Sequence, residues 1–247
     1  MTTEPIIQIK NMVTRFGDRT ILDHIDLDFY RGEVAVILGG SGSGKTTLLK
    51  SILGLVIPDE GEVKLFGKDF NAFDEQGVKT TLQRIGVLFQ NGALLNSLSV
   101  LDNMSIPVEQ HTNLDKTMIR RMATVKLGMV GLAHAAFQLP SELSGGMRKR
   151  AALARAIALD PELLFCDEPS AGLDPITSAA LDELILTLRD QLKMSIVVVT
   201  HELASIHRIA DRIVFLDKGK ILFQGSVSEA KSCGLEMVEN FFSVGSF

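Results

Sequence analysis

The 247-residue sequence predicts an α/β fold, a mostly parallel sheet covered by helices on both faces. Three observations point there. Val34–Leu38, residues 163–166 and residues 196–199 (within the strand expected over 195–200) are continuous apolar runs rather than alternating ones, as expected of strands buried on both faces. Helix-length segments separate these runs. The first run passes directly into glycines and the other two end in polar residues, which gathers the reactive groups at strand exits.

The remaining elements follow in order. Residues 6–9 and 25–29 alternate apolar and polar side chains, the mark of half-buried strands. A helix is expected from Lys45 to about Leu55, stopped by Pro58. Residues 62–66 and 85–89 are further strands. From about 95 to 160 the pattern turns helical and rich in Met and Ala, and reads as an inserted helical subdomain. A helix over about 175–191 returns the chain to the sheet. Residues 213–216 and 221–224 flank Asp217-Lys218-Gly219, a hairpin turn. The expectation is one domain over 1–247 with a short tail from about 234, and no internal repeat.

Composition excludes several classes. Apolar residues make up 46% and charged ones 22%, enough for a sizeable core. A formal charge of −5 argues against a nucleic-acid partner, which calls for a clustered basic surface. Cys166 and Cys233 have neither metal-ligand nor redox spacing, as in a reduced compartment. No apolar run approaches the roughly 20 residues of a spanning helix, and the N-terminus lacks the order of a secretory signal. A membrane role would therefore act through partners.

Gly39-Gly40-Ser41-Gly42-Ser43-Gly44-Lys45-Thr46 fits G-x-x-x-x-G-K-[ST], after a buried strand and at the start of a helix. Such a loop curls its N–H groups inward toward phosphate oxygens, and the helix adds the positive end of its dipole. Lys45 supplies charge to the β and γ phosphates of a nucleotide, the Thr46 hydroxyl suits Mg²⁺, and Thr47 extends the cradle; kinases and GTPases share this loop, so it does not by itself identify the chemistry. A plain glycine turn with a surface lysine would not need this context. The strand at 163–166 ends in Asp167 and Glu168. Beside a phosphate loop, Asp167 is placed to hold Mg²⁺ through water, and Glu168 to orient or deprotonate an attacking water. His201 leaves the strand at 195–200 in the same way and is expected to touch the γ-phosphate. Gln90, after 85–89, could contact Mg²⁺ or the water.

Leu143-Ser144-Gly145-Gly146-Met147 closely resembles the LSGGQ signature of ABC ATPases. The order also resembles that family's: phosphate loop, Gln90, signature, Asp167-Glu168, Ser170-Ala171-Gly172-Leu173-Asp174, then His201. The resemblance covers essentially the whole chain. It implies a P-loop NTPase fold with an N-terminal antiparallel β subdomain, a mostly parallel core sheet and the inserted helical subdomain. It further implies that Ser144, Gly145 and Gly146, at a helix N-terminus, face ATP held by the opposite subunit of a homodimer. Met147 departs from the usual glutamine. Phe16, in Arg15-Phe16-Gly17-Asp18, stands where a tyrosine usually stacks on adenine; it is either that platform or a core aromatic.

Within the family, Leu88-Phe89-Gln90-Asn91-Gly92-Ala93-Leu94-Leu95 and Glu142-Leu143-Ser144-Gly145-Gly146-Met147 resemble the Mla-type phospholipid-transport ATPases. That likeness implies a permease docking near residues 92–100, a periplasmic MCE-domain lipid-binding protein and a small STAS-type cytoplasmic subunit. It also implies a place at the cytoplasmic face of a bacterial inner membrane. Another cargo (amino acid, metal chelate or lipoprotein) stays open on the residues alone. A soluble ABC protein of translation or repair would carry two ATPase units or a long coiled coil. A switch with negligible turnover fits poorly with an intact Glu168. The apolar tail 239–247, with Phe241, Phe242 and Phe247, is expected to pack on its own domain or on a partner.

Overall fold

A computed structural model describes residues 4–243. The elements run β1 (Pro5–Phe16), β2 (Arg19–Tyr30), β3 (Val34–Leu38), α1 (Lys45–Ile52), β4 (Glu60–Leu65), β5 (Lys68–Asp69), α2 (Glu75–Leu82) and β6 (Ile85–Leu88). Then come α3 (Val100–His111), α4 (Lys116–Met129), α5 (Gly145–Ala156), β7 (Leu163–Asp167) and α6 (Pro175–Leu192). The chain closes with β8 (Ser195–Val199), α7 (Leu203–Ile209), β9 (Arg212–Asp217), β10 (Lys220–Gly225), α8 (Val227–Ala230) and α9 (Glu236–Ser243). Two compact units result, one from the residues up to Leu82 with those from Ser195 onward, the other Gln83–Met194.

The first unit holds an antiparallel sheet in the order β2-β1-β4-β5. It also holds strands in the order β10-β9-β3-β8, in which β3 runs parallel to both neighbours. All five side chains of β3 are fully buried. Burial of each such Val, Ile or Leu is worth about 1.5–3 kcal/mol, so this strand anchors the loop that follows it. β1 and β2 are far longer than the alternating segments at 6–9 and 25–29. Asn11 and His24 adopt positive φ, and the β1–β2 register shifts between Ile9 and Met12. Such bulges break the two-residue period without ending the strand. α1 stops at Ile52 rather than near Leu55, because Leu53 caps it and Gly54 turns to φ +69°. The β9–β10 hairpin turns through Lys218 and Gly219, both with positive φ, as two-residue turns require.

The second unit pairs β6 and β7 in parallel and carries α3 to α6. Val108, Ile119 and Ala158 pack together, bringing α3, α4 and the end of α5 into one core, with Met122 and Leu159 at its margin. Each helix start in this unit is capped by a side chain: Ser99 for α3, Asp115 for α4, Ser144 for α5 and Asp174 for α6. Each cap is worth about 1 kcal/mol. Among the described residues no helix is long and apolar enough to cross a membrane.

The tail packs on its own unit as far as it is described. The Phe241 ring meets Phe215 at 5.6 Å, and the buried Phe242 meets His207 at 5.9 Å. His207 is exposed, and partial desolvation, with a contribution from the Lys231 charge, lowers its imidazole pKa. Phe247 lies outside the described residues.

Candidate nucleotide site

In the first unit the glycine-rich loop is held from several sides. β3 and β8 are in register with Ile37 opposite Val199, so the loop after Leu38 and the residues Thr200 and His201 leave the same end of adjacent strands. Ligands in open α/β sheets bind outside such carboxyl ends. Gly39 has φ +149°, and a Cβ there would lie 2.0 Å from the Leu216 carbonyl oxygen of β9. No other residue fits that approach. The hairpin turn adds support, since the Gly219 N–H donates to the Ser43 carbonyl at 3.0 Å. The Asp23 N–H of β2 in turn donates to Gly219 at 2.9 Å.

Lys45 opens α1, and its ammonium donates to the carbonyl oxygens of Gly39 at 2.8 Å and Gly40 at 2.9 Å. The charge therefore sits over the loop it belongs to. Gly40, Ser41, Gly42 and Thr46 are exposed, whereas Gly39 and Ser43 are buried. The Ser43 hydroxyl has no hydrogen-bond partner among the described residues. An open cleft of about 280 Å³ is lined by Arg19, Ile21 and Gly42, Ser43, Gly44, Lys45, Thr46 and Thr47. Phe16 ends β1 just before Arg19 and is 55% exposed, which removes the core-aromatic alternative and leaves its ring face available. His201 is also exposed.

In the second unit β6 and β7 pair with Leu88 opposite Cys166. Gln90 therefore leaves one strand end where Asp167 and Glu168 leave its neighbour. Cys166 is fully buried, which pushes its thiol pKa up to about 12; the nearby carboxylates of Asp167 and Asp182 act in the same sense and Lys149 against it. Glu168 is half-buried and has φ +45°, a left-handed conformation that costs an ordinary side chain about 1–2 kcal/mol. Strain of this kind gathers at functional positions because surrounding contacts must hold it. Gln90 and Asp167 offer an amide oxygen and a carboxylate, and Thr46 of the first unit offers a hydroxyl, each an oxygen donor of the kind a hard cation such as Mg²⁺ takes.

The signature residues start α5. Ser144 is the N-cap, and its Oγ accepts from the Met147 N–H at 3.2 Å. Gly145 and Gly146 fill the first turn, whose N–H groups have no intrahelical acceptor. At Gly146 a Cβ would approach Thr177 Cγ2 of α6 to 2.6 Å, so glycine is what lets the two helices close there. Gly145, Arg148 and Lys149 share a cleft of about 210 Å³ with Gln90, Asn91, Gly92, Ala171, Gly172 and Leu173. The segment from Ser170 to Asp174 and the loop at Gln90 thus meet beside the signature. A larger cleft of about 710 Å³ lies on α4 around Arg120 and Arg121, and holds none of the phosphate-loop or signature residues.

Three polar residues that hold this region carry no motif. Arg155 donates to the carbonyls of Gly92 at 2.9 Å and Ala93 at 2.7 Å, and the buried Lys149 donates to that of Gln90 at 2.6 Å. Asn103, fully buried in α3, accepts from the Leu95 N–H and donates to the carbonyls of Leu95, Leu98 and Ser99. One signal does exist in the sequence. Lys149 falls on the same helical stripe as Ala152 and Leu153, where a cation needs partners.

The ABC transporter family model matches residues 22–171, which takes in the phosphate loop, the signature and Asp167-Glu168. The chain belongs to the ABC transporter family. It is an ATP-binding, ATP-hydrolysing cassette of that family. It is 42% identical to the intermembrane phospholipid transport system ATP-binding protein MlaF of Haemophilus influenzae over 90% of this chain and 84% of that protein. The Escherichia coli K12 protein of the same name is also 42% identical, covering 90% of this chain and 82% of its own. Among solved structures, cbiO1 from Clostridium perfringens, part of the ABC transporter complex cbiONQ, superposes with a TM-score of 0.85 at 28% identity. That match covers 92% of this chain and 90% of the other. The dimeric post-hydrolysis state of the ATP-binding cassette MJ0796, bound to ADP and Pi, gives a TM-score of 0.80 at 30% identity, covering 90% and 98%.

Proposed function

We propose that two copies of this chain close over two ATP molecules and drive a membrane permease that moves phospholipid between the inner and outer membranes. The single observation that carries the pairing is that the chain has one phosphate loop and one signature helix start, each exposing donors. The phospholipid cargo rests on the 42% identity to MlaF proteins across 90% of the chain. The same likeness supports a permease helix seated near residues 92–100, an MCE-domain protein, a STAS-type subunit and a place at the cytoplasmic face of the inner membrane.

Phe16 stacks on the adenine. The N–H groups from Gly40 to Thr47 wrap the phosphates, and the Lys45 ammonium leaves the neutral carbonyls of Gly39 and Gly40 for charged β and γ oxygens. Mg²⁺, when bound, neutralises phosphate charge as a Lewis acid; Thr46, Gln90 and Asp167 would hold it, Asp167 through water. Glu168 accepts a proton from the attacking water, while His201 donates to the γ-phosphate. Ser144 and the N–H groups of Gly145 and Gly146 close on the γ-phosphate of the other copy's ATP, where the dipole of α5 favours the anion. Hydrolysis removes that anion and the pair opens. Reconstitution of the chain with its permease in vesicles tests the cargo. ATP should drive movement of a fluorescent phospholipid, and movement that continues without ATP or with the Glu168→Gln chain would refute the reading.

A further inference from the structure

Lys149 lies on α5, five residues after the signature serine, and only 8% of its surface is exposed. Its ammonium donates to the Gln90 carbonyl oxygen at 2.6 Å and to the Glu168 carbonyl oxygen at 3.1 Å. A buried ammonium is expensive unless its protons are taken up by acceptors, and charge-assisted bonds to carbonyls are stronger than neutral ones. Both acceptors belong to residues that leave the ends of β6 and β7. Glu168 is the residue held in the left-handed region at φ +45°. The direction of its carbonyl follows from φ together with ψ, so a cation that grips the carbonyl restrains the backbone at this strained residue. The Ala171 N–H donates to the same oxygen at 3.2 Å.

Resting on the proposed roles of Glu168 and Gln90, we propose that Lys149 is a positioning residue for hydrolysis, linking the signature helix to the backbone of both. Through it, the helix that receives the opposite copy's phosphate also sets the direction in which the Glu168 carboxylate leaves its strand. Arg155, six residues further along α5, holds Gly92 and Ala93 in the same manner. The Gln90 loop is thereby fastened to α5 by two cations, but only Lys149 also reaches Glu168.

The test compares Lys149→Met, which keeps length and loses the donor, with Lys149→Arg, which keeps charge and donors. ATP turnover of the full chain is measured over a range of ATP concentrations, with thermal unfolding to confirm the fold. Expected is a fall in kcat of at least about tenfold for Lys149→Met, with KM and ATP affinity within about threefold, and recovery to within about threefold in Lys149→Arg. Parental kcat in Lys149→Met, a loss confined to KM, or a folded Lys149→Arg as slow as Lys149→Met would each overturn the proposal. If Lys149→Met does not fold, Lys149→Arg decides alone: kcat within about threefold supports the role, and a tenfold loss in folded protein rejects it. Failure of the underlying reading has a separate signature, because a Glu168→Gln chain turning over at the parental rate would remove Glu168 itself from its role.

Discussion

The Lys45 ammonium donates to the carbonyl oxygen of Gly39 at 2.8 Å, closing the glycine-rich loop on itself. The charge that will meet phosphate is thus already oriented, and ordering it adds little to the cost of binding. Lys45→Ala removes both the charge and the clasp. The Kd for ATP should rise at least about a hundredfold by calorimetry, since charge-assisted bonds to phosphate are the strong ones. An unchanged Kd would refute the role of this loop.

Gly39 cannot accept a side chain. A Cβ would lie 2.0 Å from the Leu216 carbonyl oxygen, on a backbone with φ +149°. Gly39→Ala should therefore lower stability by about 2 kcal/mol or more and displace the loop from β9. Thermal unfolding measures the first effect. Gly40→Ala, where a Cβ meets nothing within 4 Å, is the control and should melt as the parent does.

The Asp174 carboxylate caps α6, accepting from the Thr177 hydroxyl and from the Thr177 and Ile176 N–H groups. Hydrogen bonds from Thr177 are the main reason its pKa lies below the ordinary aspartate value. A depressed folded pKa means that the stabilisation is present above the unfolded value and is lost as pH falls through the folded one. Asp174→Ala should melt earlier than the parent at neutral pH. The two melting curves should converge as the pH drops below the ordinary aspartate range.

Cys166 and Cys233 should differ as thiols. With its pKa pushed up to about 12 by burial, Cys166 has almost no thiolate at pH 8, and no reagent reaches it in the folded chain. Cys233 is partly exposed. Titration with a chromogenic disulfide should count one fast thiol in the native protein and two after denaturation. Two fast native thiols would mean that β7 is not buried.

The parts of the fold that the sequence makes legible are local. Val34–Leu38 reads as a strand because five apolar residues run unbroken into Gly39, and the residues at 213–224 read as a hairpin because Lys218-Gly219 suits a tight turn. The strand exits at Gln90, Asp167, Glu168 and His201 are legible for the same reason. What stays hidden is recognition of backbone by side chains. Lys149, Arg155 and Asn103 hold carbonyl oxygens, which every residue possesses, so their targets leave no pattern. The lengths of β1 and β2 are hidden too, because Asn11 and His24 reset the alternation that a two-residue period depends on.

The central claim, a site completed by a second copy, is tested most directly by sedimentation of the Glu168→Gln chain with and without ATP. Two ATP molecules per dimer are expected when ATP is present, and a monomer when it is absent. Adding Ser144→Arg, which places a cation and bulk at the start of α5, should return a monomer that still binds ATP. A Glu168→Gln chain that binds ATP as a monomer, or a Ser144→Arg monomer that no longer binds it, would contradict the assignment of the signature to the opposite copy.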